Sequence, residues 1–191
     1  MSTTSSRLLD RAFGRPRGVL GRIGGALMAW GNAATERHMV DVAGPGPADT
    51  VLVLGPGPGV GLSAAAERTG HVVAVDPSET MLARCRARCP QAALHPGTAE
   101  RTGLAVGSVD VVISVNNVQL WPDRAAGFAE LFRVLRPGGR LALSVHEKWL
   151  PVSRHELAAE LEAAGFTDLQ TWTWEPPGPA STAAQLRARR P

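Results

Sequence analysis

Tyrosine is absent from the chain, lysine occurs once, at Lys148, and cysteine only twice, at Cys85 and Cys89. The cysteines stand four apart in one predicted helix. They therefore share a face but lack the four-ligand set of a structural zinc, and two are a poor disulfide framework. A reduced, cytoplasmic protein without a metal is expected. Aromatic residues make up 5% of the chain, four phenylalanines and five tryptophans scattered among apolar runs, which is no stacking platform for bases. Long hydrophobic runs are missing as well. Arg22 interrupts GVLGRIGGALMAW at residues 18–30 and no small-x-small cleavage site follows, so neither a signal peptide nor a membrane span is expected. With a single lysine, the net charge of +3 rests on arginine, grouped from Arg7 to Arg22 and again from Arg187 to Arg190. So small an excess does not point to nucleic acid by itself, and the groups read as a solvated arm and tail.

What is present is a periodic core. A chain of 191 residues suits one domain, and Gly44-Pro45-Gly46-Pro47 marks the step from an N-terminal helical extension (1–48) into it (49–191). Strands are expected at Val51 to Leu54, His71 to Val75, Ala92 to His95, Val109 to Val115, Arg140 to Val145 and Asp168 to Trp174, with a short last one around Ser181 to Leu186. Helices fall between them at Leu62 to Arg68, Ser78 to Arg88, Arg124 to Leu135 and Arg154 to Ala164. The alternation specifies an α/β fold with a doubly wound, mostly parallel sheet.

In such a sheet, ligands bind beyond the C-terminal ends of the strands, at the switch point beside the first strand. There the sequence reads VLVLGPGPGVG. Gly55, Gly57 and Gly59 let backbone approach a ligand closely, and the helix that follows points its positive end there. Asp76 ends the second strand, 21 residues after Gly55, where an acid accepts from the two hydroxyls of an adenosine ribose. It also precedes Pro77 and Ser78 at a helix start, so a capping role competes. A dinucleotide fingerprint fails from Gly55 and Gly57 and is met only late, by Gly59, Gly61 and Ala64. A P-loop is excluded, because no Gly-Lys-Ser/Thr follows.

From Thr50 to Trp174 the chain resembles the class I S-adenosylmethionine-dependent methyltransferases. VLVLGPGPGVG is similar to that family's first motif and VVAVDPSETML to its ribose-binding one. GTAERTGLAVGSVDVVISVNNVQLWPD resembles the stretch from the adenine contact through strand four, RVLRPGGRLALS its fifth-strand signature, and HELAAELEAAGFTDLQTW its last helix and strand. The resemblance implies a seven-stranded Rossmann-like sheet, a short helical N-terminal lid and S-adenosyl-L-methionine as cofactor. It implies that Gly55, Pro56, Gly57 and Gly59 form the cofactor loop. By the same resemblance Asp76, Pro77 and Ser78 are expected at the ribose, Met81 beside the adenine, and Thr98, Ala99 and Glu100 along the ring, with Asn116 near the methyl group.

Two positions depart from the family. The acid usual two residues before the first glycine, where it helps hold the methionine ammonium, is Val53 here. The Asp that often accepts from the adenine amino group is Thr98. Each lost charge-assisted hydrogen bond is worth about 1.5–3 kcal/mol.

Methyl transfer from a sulfonium needs positioning more than covalent help, because the leaving group is neutral. Asn116 and His146, at the ends of strands four and five, are the catalytic candidates, Asn116 as a positioner and His146 as a base. Trp30, Asn32, His38, Asn117 and Trp121 are candidates for the acceptor pocket, with Arg37 beside them. VNNVQLW lacks the Asn/Asp-Pro-Pro-Tyr/Phe pattern of exocyclic base methylation. Cys85 and Cys89 sit on the wrong helix for cytosine C5 chemistry. The expected reaction is methyl transfer to a small molecule at O, N or C, with no nucleic acid or membrane partner and no expectation for the oligomeric state. The alternatives are a catalytically degenerate binding or regulatory protein and a nicotinamide-dependent oxidoreductase, the latter without a Tyr-x-x-x-Lys pair.

Overall fold

The computed structural model describes residues 32–177 and 182–191. Helix α1 covers 32–43. Strand β1 (Thr50–Leu54) and helix α2 (Val60–Ala66) follow, then β2 (His71–Asp76), α3 (Glu79–Arg88) and β3 (Ala93–Pro96). The second half holds β4 (Val109–Val115), α4 (Arg124–Val134), β5 (Leu135–His146), α5 (Arg154–Ala163), β6 (Thr167–Trp174) and β7 (Ala183–Arg189). The sheet order is β3-β2-β1-β4-β5-β7-β6. Neighbours from β3 to β5 are parallel, and β7 runs antiparallel to both β5 and β6. The order reverses at β1, between β2 and β4, which sets the switch point there.

Successive side chains on a strand point to opposite faces, and this period of two builds two cores. Val51, Val53, Val111, Ile113 and Ala142 face the side covered by α1, α2 and α3, where they pack with Met39, Val40, Leu62 and Cys85. Leu52, Leu54, Val112, Leu141 and Leu143 face the other side and pack with Phe128, Leu131, Leu157 and Leu161 of α4 and α5. Helix α1 thus shares its cluster with the sheet. The Gly-Pro turn after it is pinned from β5, where the Arg140 guanidinium donates to the carbonyls of Ala43 and Gly44 and to Asp49 Oδ2 at 3.0, 3.1 and 2.7 Å.

Several boundaries differ from the sequence expectation. Strand β5 starts at Leu135, which pairs with Val109, while Arg140 pairs with Val111. The Pro137-Gly138-Gly139 turn therefore bulges from a continuous strand, and α4 stops one residue early because Leu135 is committed to the ladder. Helix α2 begins at Val60 because Gly59, at φ 88°, caps it in the left-handed conformation. The last strand lies at Ala183–Arg189, later than Ser181 to Leu186, its register set by pairing with β5 and β6. Among the described residues, no helix is long and apolar enough to cross a membrane.

Candidate functional site

The loop after β1 opens a cavity at the switch point, and its glycines serve different ends. Gly55 is at φ 65°, and a Cβ there would lie 2.1 Å from Asn117 Nδ2. The space its missing side chain leaves is therefore filled by protein: Asn117 packs against it and accepts from Trp121 Nε1 at 2.5 Å. Gly57, at φ 51°, instead faces open space and lines the cavity. Pro58 lines the cavity as well, whereas Pro56 belongs to a small recess beside it, with Val53 and Gly61. Gly59 is not among the lining residues; a Cβ there would meet Cys85 Sγ at 3.2 Å.

Asp76 closes β2 and lines the cavity. Its Oδ1 accepts from the Ser78 N–H at 2.8 Å, and the Ser78 hydroxyl caps α3 by accepting from the Met81 N–H. The cap of this helix is therefore Ser78 and not Asp76. The other oxygen of Asp76 bonds no described residue. Burial pushes the carboxyl up to about 6, with the Ser78 amide pulling the other way. Pro77 and Met81 line the same end, and Thr98, Ala99 and Glu100 form the wall beyond. Ala99 packs into the α4–α5 core, and Glu100 accepts from the Asp123 N–H at 3.3 Å.

Asn116 lines the cavity with φ 49°, and its amide is spent inside the protein. Nδ2 donates to Asn32 Oδ1 at 2.9 Å, and Oδ1 accepts from the His146 N–H at 2.8 Å. This side chain therefore ties α1, β4 and β5 together at the rim. His146 is 4% exposed, meets Trp149 edge-on at 5.3 Å and is not among the lining residues. Asn32, Asn117 and Trp121 line the cavity. His38 does not; it stacks on Trp174 at 4.2 Å and bonds Gln185 at 3.1 Å. Arg37 is exposed, and Trp30 lies outside the described residues. Burial drives the Cys85 thiol up to about 12, so this cysteine is no thiolate nucleophile.

Sequence reasoning missed Glu36. It is 9% exposed, lines the cavity and accepts from the Gly61 N–H. An amide in the first turn of α2 therefore faces a protein carboxylate. Burial pushes Glu36 up to about 7, against the Gly61 hydrogen bond and the more distant Arg88 and Arg37. A signal was there to read. Buried positions on α1 are 32, 35, 36, 39, 40 and 43, an amphipathic stripe whose first three members are Asn32, Thr35 and Glu36. A glutamate on the buried stripe of a helix is rare without a purpose.

A methyltransferase-domain family profile matches residues 52–143. The uncharacterized methyltransferase YdaC of Bacillus subtilis is 30% identical over 158 residues, covering 77% of this chain and 87% of that protein. The uncharacterized methyltransferase Rv3342 of Mycobacterium tuberculosis is 39% identical over 141 residues. That match covers 74% of this chain but 54% of the relative, so the chain spans about half of that protein's length. Among solved structures, the Haemonchus contortus phosphoethanolamine N-methyltransferase 2, in complex with phosphomonomethylethanolamine and S-adenosylhomocysteine, superposes with a TM-score of 0.78 at 16% identity. It covers 99% of this chain and 60% of that one.

Proposed function

The chain belongs to the class I S-adenosylmethionine-dependent methyltransferases, and from that premise we propose that its acceptor is a small, partly apolar metabolite methylated at O, N or C. The cofactor is S-adenosyl-L-methionine, and the site residues fit it. Asp76 offers a carboxylate oxygen at a strand end, Gly57 a bare backbone, and Met81 with Val75 an apolar wall. When bound, the cofactor supplies a methyl group on a positively charged sulfur, which transfers to a nucleophile in line behind it.

The observation that carries the reading is the composition of the cavity wall. Val115, Leu120, Trp121 and Pro122 make its rim apolar beyond Asn116, and Glu36, Asp76 and Glu100 are its charged members, with no Lys or Arg lining it among the described residues. A nucleic acid backbone needs cations where it is gripped, and this wall would repel it. Three arginines of the fold are held in ion pairs: Arg68 with Asp41, Arg124 with Glu160, Arg136 with Asp110. The Trp121 ring is fixed by Asn117 and by an edge contact with Phe128 at 5.3 Å, so the acceptor meets a rigid apolar surface. These residues hold the two reactants in line and exclude water. Proton removal by a side chain is not required for a soft or already ionised nucleophile.

The test is release of S-adenosylhomocysteine from S-adenosylmethionine in the presence of small phenols, hydroquinones, thiols, carboxylic acids and amines, with duplex DNA and structured RNA as controls. Turnover with one small-molecule class supports the reading. Turnover confined to nucleic acid would overturn it.

A further inference from the structure

We propose that Glu36 holds the cofactor's α-ammonium group, supplying from helix α1 the carboxylate that strand β1 lacks at Val53. The assignment rests on the chain binding S-adenosylmethionine.

Three observations carry it. First, Glu36 lines both the main cavity, with Gly55 and Asn116, and the recess whose wall is Val53, Gly55 and Pro56. The helix thus delivers an acid to the place where the strand presents an alkyl group. Second, the acid is short of partners. One oxygen, Oε2, accepts from the Gly61 N–H, and the other bonds no described residue. Arg88 of α3 and Arg37 of α1 act on it only from a distance, and neither forms an ion pair with it. A buried carboxylate with no ion-pair partner among the described residues is costly, and burial has raised its proton affinity accordingly. Third, the placement matches the order of the ligand's parts. Asp76 takes the ribose end beside β2, and Ala99 belongs to the core on the α4–α5 side. Glu36 enters from the opposite face, beyond β1. S-adenosylmethionine carries its ammonium at the end remote from the adenine, so a ligand anchored at Asp76 with its ring at Ala99 directs that group toward α1.

Two other roles make different predictions. If Glu36 only caps the Gly61 amide, any change would affect all ligands alike through the loop. If it answered the sulfonium, S-adenosylhomocysteine, which lacks that charge, would be indifferent to it.

The experiment is calorimetric titration of wild-type and Glu36→Gln chains with S-adenosylhomocysteine and with its deaminated analogue, which keeps the nucleoside, thioether and carboxylate. Glutamine preserves the acceptor for Gly61. The wild type should prefer S-adenosylhomocysteine by at least about tenfold, the value of one charge-assisted hydrogen bond. In Glu36→Gln the preference should fall below about twofold, with the affinity for the deaminated ligand unchanged; the difference of differences isolates the pair. An undiminished preference in the variant, or an equal loss for both ligands, would overturn the assignment. So would a wild type with no preference, a result that needs no variant to fold. If neither ligand binds a wild-type chain shown by circular dichroism to be folded, the cofactor reading itself falls, which is a distinguishable failure.

Discussion

Replacing Glu36 by glutamine should stabilise the ligand-free protein at alkaline pH while weakening its grip on the cofactor. The magnitude follows from the burial of the carboxyl. In the folded chain it holds its proton up to about 7, against an ordinary value of 4.5. Between those values the folded state binds a proton that the unfolded state has released, so stability falls as pH rises through that window. Below it the protonated acid carries no such penalty, and above it the ionised acid costs the fold about 3 kcal/mol. Arg37 on the same helix and Arg88 and Cys85 on α3 are the charged and titratable groups that act on or respond to Glu36. Burial pushes the thiol up to about 12, outside this range. Asp76 titrates in both proteins and largely cancels. Urea unfolding at pH 4.5, 6 and 8 reads the effect. The stability of Glu36→Gln minus that of wild type should rise by about 3 kcal/mol across the series. Saturating S-adenosylhomocysteine at pH 8 should reduce the variant's advantage, because the ligand stabilises wild type more. A difference independent of pH would refute the reasoning, for it would mean that Glu36 folds already ionised at no cost.

Asn116→Ala removes two buried hydrogen bonds, to Asn32 and to the His146 amide. It should cost about 2–3 kcal/mol in urea unfolding, and a change under about 0.5 kcal/mol would deny the tie between α1, β4 and β5. Gly55→Ala and Gly57→Ala share a positive φ, but only the first drives a Cβ into Asn117. The first should therefore lower the melting temperature markedly more than the second, and equal losses would contradict the packing described. Val53→Glu places a second carboxylate in the recess that Glu36 already borders. It should destabilise the wild type but recover S-adenosylhomocysteine affinity in the Glu36→Gln background, and no recovery would separate that recess from the ammonium.

The strands of the first half were legible because parallel strands covered on both faces read as unbroken apolar runs. Val109–Val115 agrees to the residue with its expectation. The start of α3 was legible through Ser78, whose side chain accepts from a first-turn amide, as Asp123 and Ser153 do for α4 and α5 in the structure. Where reading failed, tertiary pairing had overridden local chemistry. Pro137-Gly138-Gly139 punctuates the chain without ending β5, and the alanines of β7 form a strand because β5 and β6 flank it. The glycine loop and Asp76 stood out through spacing. Glu36 was hidden because its signal is a single acidic residue on the buried stripe of a helix far upstream. His146 illustrates the converse: its position after a strand suggested access to the cavity, but its side chain is packed beside Trp149.

The central claim is that this cavity binds S-adenosylmethionine through Asp76, and titration of wild-type and Asp76→Asn chains with S-adenosylhomocysteine, with NADH as control ligand, tests it most directly. Saturable binding of S-adenosylhomocysteine alone, weakened at least about tenfold by Asp76→Asn in a folded variant, is the result predicted here. Binding of NADH, or an affinity for S-adenosylhomocysteine indifferent to Asp76, would contradict it.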